Sequence, residues 1–575
     1  MRLALAQVNP TVGDLAGNAA LVQRHVESAL ESGAQIVIFP ELVISGYPPE
    51  DLLLKDHFLI ECREALDSVA PACRGIVALV GFPLWEEGAV YNAVGVLADG
   101  AEAGFYRKIC LPNYAVFDEK RYFQTGDRLA VIEMGDARLA VNVCEDIWVD
   151  EGPTEAAALL GAAHAVINLS MSPYHLGKGM EREAVLSRRA INARAYVCYV
   201  NGVGGQDELV FDGQSVVFDP EGRLAARGPQ FTEKLMLVDL DLDRASTAAL
   251  PGDAMQRWPL EVITPGGVND EPAVDLEPVP MPGGELIALG LSTEAEVYEA
   301  LCLGVRDYVE KNGFRHVVIG LSGGIDSALT ACIAADALGR DRVTGVSMPS
   351  RYSSEGTQND AQETAKRLGI DFHEIPIEPL FRSYLYSLEP YLRGTPPDVT
   401  EQNIQARIRG NLLMALSNKF RWLVLTTGNK SEMAVGYATL YGDMAGGFGV
   451  LKDVPKTMVY RLSHFRNKLG GDDGGPIPAS TIHRAPSAEL APNQIDQDIL
   501  PPYEILDQII EAYVVNDESV DEIVARGIER REVERVVAMI DGNEYKRRQA
   551  PPGVRITPKA FGKDRRLPMT NRYRG

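Results

Sequence analysis

Over the first 240 positions, short apolar and β-branched runs alternate with helical patterns. The runs LALAQV, QIVIFP, GIVALVGF, AVGVLA, RLAVNVC, AVINLS, YVCYV, SVVFD and LMLVDL predict strands. Several are apolar on both faces, as strands inside a layered α/β domain are. Residues 18–32 and 180–195 each carry a polar face and predict helices between strands. Residues 250–285 hold seven prolines and two Gly-Gly pairs, which predicts an irregular connection between domains. A second block opens near Ser292 with STEAEVYEALCLGVRDYVEKNG, a helical pattern ending at Gly313. Strands at HVVIGL, RVTGVSM and WLVLTT then alternate with helices, the pattern of a doubly wound parallel sheet that binds ligands at its carboxyl edge. Residues 470–502, rich in Gly and Pro, predict a long functional loop. No internal repeat is visible.

Composition narrows the class. A chain of 575 residues allows two to four domains, and 46% hydrophobic with 24% charged residues is ordinary globular usage. The net charge of -24 argues against nucleic acid or an anionic membrane surface for the chain as a whole. From Asp541 onward the balance reverses, ten Lys/Arg against three Asp/Glu. Interleaved Pro, Gly and aromatic residues make that tail read as a packed basic lip over an anionic small molecule. Seven cysteines without a CxxC pair, and eight histidines without HxxxH, predict neither a disulfide framework nor a zinc site. Reduced thiols and a cytoplasmic location are expected. The amino terminus lacks a long apolar core with a small-residue cleavage site, and no run of about 18 apolar residues occurs, so neither secretion nor a membrane span is expected.

Three strand ends carry the first candidate chemistry. Cys144 closes RLAVNVCEDIW, Glu41 follows IVIFP, and Lys108 lies in YRKICLPNYAVFDEKRYF. A thiol at a strand end can face a pocket, a carboxylate can take its proton, and an ammonium can stabilise thiolate and oxyanion. In this order the three segments resemble the nitrilase or carbon–nitrogen hydrolase superfamily. The resemblance implies an αββα sandwich over residues 1–245, with Glu41 as general base, Lys108 as oxyanion stabiliser and Cys144 as nucleophile. Glu119 is either a carboxylate supporting that triad or a surface partner of Lys120 or Arg121. By resemblance to glutamine-hydrolysing members, Tyr114, Ser172 and Lys178 contact glutamine.

The second constellation is HVVIGLSGGIDSALTACIAADALG, a strand, a glycine turn and a helix. Such a turn aims N–H groups at an anion. It is not a Walker A loop, because no Lys-Ser/Thr pair follows the glycines. SGGIDS resembles the pyrophosphate loop of the ATP pyrophosphatase superfamily, which implies a Rossmann-like domain over residues 286–575. Gly320, Leu321, Ser322, Gly323, Gly324, Ile325 and Ser327 would surround the phosphates, and Asp326 would hold magnesium. WLVLTTGNKSEMAVGYATLYGDMAGGFGVLKDVPKTMVYRL is similar to the NAD synthetases within that superfamily. This implies Thr427 and Lys456 on ATP, Glu432 on magnesium and dinucleotide, and Asn403 and Lys546 on the dinucleotide. Arg407 and Arg409 stay unassigned.

Together the segments resemble the two-domain glutamine-dependent NAD+ synthetases, with residues 246–285 as linker. The resemblance implies a ligase that takes glutamine, ATP and deamido-NAD+, with magnesium as cofactor. Ammonia from Cys144 chemistry would pass sheltered to an adenylated nicotinate carboxylate. A homo-oligomer is expected on size. Competing readings are another amide-forming ligase of the same superfamily, an amidase with a regulatory nucleotide domain, and a scaffold or nucleic-acid binder resting on the basic tail.

Overall fold

The computed structural model describes residues 1–245, 257–266, 286–470 and 474–573. The chain forms two compact units, Met1–Gln206 with Val210–Leu291, and Asp207–Leu209 with Ser292–Gly575.

The first unit is built on two sheets. One runs Lys234–Asp239, Arg2–Gln7, Ile36–Ile38, Val77–Glu86, Ala89–Ala98, Ala101–Arg107. The other runs Leu224–Arg227, Val216–Phe218, Tyr196–Asn201, Ala165–Ser170, Ala137–Val143, Leu129–Met134, Leu260–Ile263. Alternate residues of the inner strands divide two cores. Leu3, Leu5, Ile36 and Ile38 share a core with Ile132, Val141, Ile167 and Cys198 of the other sheet, while Ala4 and Val37 are buried on the opposite face. Helices Leu15–Glu31 and Asp56–Val69 cover the first sheet, and Pro153–Leu160 and Lys178–Ala193 the second. This two-faced burial is why the strands read as unbroken apolar runs, and the result is the αββα sandwich. In Leu15–Glu31, Asp14 caps Gly17 N–H, and Val22, Val26 and Ala29 bury one stripe. Full burial of each valine contributes about 1.5–3 kcal/mol.

The expected connection at 246–285 is not wholly irregular. Leu260–Ile263 pairs in parallel with Leu129–Met134 and extends the second sheet. Its apolar residues give the edge strand a buried anchor, Ile263, at 4% exposure, and flanking prolines are tolerated at a sheet edge. Residues 246–256 and 267–285 of that connection lie outside the described residues.

The second unit carries a parallel five-stranded sheet, in the order Asp371–Glu374, Val343–Ser347, Val317–Gly320, Leu423–Thr426, Phe448–Gly449. Chain order reverses beside Val317–Gly320, the first strand of the five. Open α/β sheets bind ligands at such a switch, beyond the carboxyl ends of the strands. The SGGIDS turn and Thr427 both lie there. No described helix is long and apolar enough to cross a membrane.

Candidate active sites

In the first unit, the Glu41 turn follows Ile36–Ile38 and is pressed against Gly81, where an added Cβ would lie 2.4 Å from Leu42 N. Lys108 follows Ala101–Arg107, its backbone held by Asn92 O and Gly126 N. The Lys108 ammonium is fully buried between two carboxylates, 2.7 Å from Glu41 Oε1 and 2.9 and 2.8 Å from the Glu119 oxygens. Glu41 also accepts from Asn92 Nδ2 at 2.7 Å and from Met171 N–H at 3.1 Å. Tyr47 donates to Glu119 at 3.2 Å. Glu119 is therefore a buried partner of Lys108, not of Lys120 or Arg121. Burial raises its carboxyl to about 7 against the pull of Lys108. Burial also opposes the Lys108 charge, yet Glu119 and Glu41 outweigh it and hold the ammonium protonated.

Cys144 opens a tight turn, Cys144–Ile147, directly after Ala137–Val143. Its φ of +42° is left-handed, a conformation costing a non-glycine residue about 1–3 kcal/mol. Burial, then the charge of Glu41, push its thiol well above the usual range, while Lys108 pulls the other way. At rest the sulfur is protonated and needs a base.

Asp146, unassigned from sequence, ties this turn to the lysine strand. One carboxylate oxygen accepts from Ile109 and Cys110 N–H, at 3.2 and 2.7 Å. The other accepts from Val143 N–H at 3.0 Å and Tyr106 at 2.8 Å. The signal available was an acid two residues beyond a cysteine that ends an apolar strand.

The expected glutamine contacts fall around the same turn. Tyr114, half exposed, donates to both oxygens of Glu145, the residue after Cys144, at 3.1 and 3.0 Å. Lys178 starts helix Lys178–Ala193 with its ammonium 4.0 Å from the Trp148 ring centroid. Ser172 is buried, its N–H donated to Asn201.

In the second unit, a cavity of about 320 Å³ opens at the sheet switch. Gly320 through Ser327, Thr427, Glu432 and Lys456 all line it. Gly323 has φ +84°, and a Cβ there would lie 2.0 Å from Thr357 O, so only glycine fits. The serines brace the turn: Ser327 Oγ accepts from Ser322 N–H at 3.2 Å and donates to Gly324 O at 3.0 Å. Lys456 pairs with Asp326 and lies 3.7 Å from Glu432. Asn429 donates to Asp326 at 2.9 Å and caps helix Lys430–Val435 through Glu432 N–H. Burial, then the charge of Asp326, raise Glu432 to about 8.

Asn403 and Lys546 are not among the residues lining this cavity. Both brace the segment 436–443. Thr439 donates to Asn403 at 2.9 Å, and Lys546 donates to Gly436 O at 2.7 Å and Ala438 O at 3.0 Å. That segment brings Asp443 to the cavity wall. The basic tail is packed, but much of its charge is spent internally, Arg547 and Arg565 on Glu544 and Arg555 on Asp564. Of the tail, Ala550 and Pro551 reach the cavity lining. Arg409, unassigned from sequence, lines the cavity with its guanidinium on Met348 O and is lowered by burial to about 10. The 470–502 stretch contains a short helix, Ala479–His483, and supplies Thr481, Arg484 through Leu490 and Asp496 to the lining.

The two halves match two family models, Carbon-nitrogen hydrolase over residues 2–249 and NAD synthase over 297–550. A glutamine-dependent NAD(+) synthetase of Thermotoga maritima is 48% identical over 586 residues, spanning 100% of this chain and 99% of the relative. The chain belongs to the glutamine-dependent NAD+ synthetase family. A second such enzyme, from Aquifex aeolicus, is 48% identical over the whole of both chains. The solved glutamine-dependent NAD+ synthetase of Acinetobacter baumannii, in complex with adenosine diphosphate, is 40% identical with a TM-score of 0.75, covering 99% of this chain and 98% of that one. A Cytophaga hutchinsonii synthetase shares the fold at TM-score 0.80 and 23% identity, covering 99% of this chain and 98% of that one. Membership makes the chain a carbon–nitrogen ligase with a nitrilase-like glutaminase unit and ATP as substrate.

The donor chemistry fits magnesium. Asp326 and Glu432 are hard oxygen donors on one cavity wall, sharing the Lys456 ammonium. Among the described residues no cluster of three His, Cys, Asp or Glu could hold a metal. A magnesium ion there would take its other ligands from phosphate and water, as it commonly does.

Proposed function

We propose that the first unit hydrolyses glutamine at Glu41, Lys108 and Cys144, and that the second adenylates the nicotinate carboxylate of deamido-NAD+ and aminates it with the ammonia released. Glu41 takes the Cys144 proton as sulfur attacks the amide carbon, and delivers it to the departing ammonia. Lys108 stabilises the oxyanion, and Glu119 balances its charge so that Glu41 remains a base. Water then cleaves the thioester to glutamate. Tyr114, Ser172 and Lys178 hold the amino and carboxylate ends of glutamine.

In the second unit Ser322, Gly323, Gly324 and Ser327 form the turn that cradles pyrophosphate, and Thr427 and Lys456 hold ATP. Asp326 and Glu432 would hold magnesium, which would supply neutralising charge at the phosphates. Asn403, Glu432 and Lys546 position deamido-NAD+, the first and last by shaping the segment 436–443. Ammonia must be handed over unprotonated, because ammonium has no lone pair to attack with.

The observation that carries this reading is the Lys108 ammonium buried between Glu41 and Glu119, with both Lys108 and Glu41 acting on the strained Cys144. The test is NAD+ formation from deamido-NAD+ and ATP with either glutamine or ammonium. Cys144→Ala should abolish the glutamine reaction and keep the ammonium reaction; loss of both refutes separate sites. A cytoplasmic homo-oligomer belongs to the same reading, testable by cell fractionation and light scattering.

A further inference from the structure

The ammonium of Lys430 is buried in the second unit, two residues before Glu432 in the same helix. Its three N–H groups meet three acceptors: Asp453 Oδ1 at 2.7 Å, Thr557 Oγ1 at 2.6 Å and Lys559 O at 3.0 Å. Asp453 is buried too, and its Oδ2 accepts from the N–H groups of Ile556 and Thr557, at 2.8 and 2.7 Å. The Thr557 hydroxyl donates to the same carboxylate at 2.8 Å while accepting from Lys430. Just upstream, the tail is joined to the sheet. Gly449 N–H donates to Pro552 O at 2.7 Å, and Gly553 bridges Gly449 in parallel at the free side of Phe448–Gly449. A Cβ on Gly553 would lie 2.1 Å from Gly449 O, so the approach needs glycine.

Both members of the Lys430–Asp453 pair lead to the cavity wall. Lys430 stands two residues from Glu432, and Asp453 three residues from Lys456. The two segments are also tied to each other, Lys430 N–H donating to Val454 O at 2.9 Å and Lys456 N–H to Ser431 Oγ at 2.9 Å. Glu432 and Lys456 line the cavity, whereas Lys430, Asp453 and Thr557 are not among its lining residues. A buried charge pair with every partner filled leaves no slack, since shifting one member strands another. We infer that the tail segment 552–559 positions Glu432 and Lys456 for ATP from behind the cavity wall, with Thr557 as the positioning residue. The inference rests on the proposed roles of Glu432 and Lys456. It gives the tail a task other than covering an anion: it fixes the wall that the anion meets.

Thr557→Val is the sharpest test, because it removes the hydroxyl at nearly constant volume and takes one partner each from Lys430 and Asp453. The KM for ATP in ammonium-driven NAD+ formation should rise roughly ten- to a hundred-fold, the worth of the charge-assisted hydrogen bond that Lys456 would make to ATP. Ammonia release from glutamine should stay at the unsubstituted rate. Partial unfolding would lower the amount of active enzyme, and so the apparent kcat, without moving KM. Thr557→Ser keeps the hydroxyl and should restore the unsubstituted KM. An unchanged KM in Thr557→Val overturns the inference, as does a raised KM that Thr557→Ser does not restore. If Thr557→Val does not fold, Gly553→Ala serves by pushing the tail off Gly449: a raised KM for ATP supports the inference, and an unchanged one overturns it. An unchanged KM for ATP in Lys456→Met would instead sink the reading on which the inference rests.

Discussion

Asp146→Asn probes whether the glutaminase site depends on a tie between two chain segments. The carboxylate accepts four hydrogen bonds, two on each oxygen. The amide keeps one accepting oxygen and presents two donors in place of the other. Facing Ile109 and Cys110, those donors would strand two backbone N–H groups. Facing Val143 and Tyr106 they strand one, because the Tyr106 hydroxyl can rotate to accept. The second arrangement is therefore adopted, and the Val143 N–H next to Cys144 loses its partner. One stranded buried N–H plus the lost charge assistance amounts to about 2–5 kcal/mol. Release of Val143 lets Cys144 shift relative to Lys108, and an ångström of misplacement costs about 100-fold in rate. Ammonia release from glutamine, measured by a coupled assay, should fall by about that factor, and ammonium-driven NAD+ formation by the same preparation should not. An unchanged glutaminase rate would refute the tie. Equal loss of both activities would show a folding defect instead.

Glu119, at about 7, sets a pH expectation. Above that pH the negative charge of Glu119 offsets Lys108; below it, Glu119 is protonated and the Lys108 ammonium faces Glu41 alone. Glutaminase kcat/KM should therefore decline as pH falls through about 7, and Glu119→Gln should lower the rate while removing that limb; a limb that persists in the variant contradicts the assignment. In the second unit, Gly323→Ala must place a Cβ against Thr357 O at left-handed φ. ATP binding measured by calorimetry should be lost while glutaminase activity persists, and normal ATP affinity would show that the turn need not hold its shape.

Most strands of the three large sheets, though not edge strands such as Ala101–Arg107, Leu224–Arg227, Asp371–Glu374 and Phe448–Gly449, and the outline of the candidate sites were legible in the sequence, for a common reason. Glu41, Cys144, Asp326 and Thr427 all stand where an apolar run stops, and in layered α/β folds such strand ends line the cavities. What stayed hidden depends on long-range contact. Glu119 read equally as a surface charge until 11 residues of loop returned it to Lys108. Asp146 gives no sign that it reaches Ile109 and Cys110, 37 and 36 residues away. Leu260–Ile263 was masked by its prolines, because four residues cannot outweigh composition until a sheet edge is present to receive them. For the tail, the count of ten basic against three acidic residues did not say which of them pair, as Arg547 and Arg565 do with Glu544 and Arg555 with Asp564.

The buried, left-handed turn at Cys144 also bears on chemical wear. Peroxides and alkylating agents react with thiolates, and reactive cysteines elsewhere are those held ionised near neutrality. Here burial and then Glu41 push the Cys144 thiol well above its usual range, which disfavours the thiolate. On the proposed reading of Cys144 as nucleophile, it spends its idle time in its least reactive form, and oxidants meet an inert thiol.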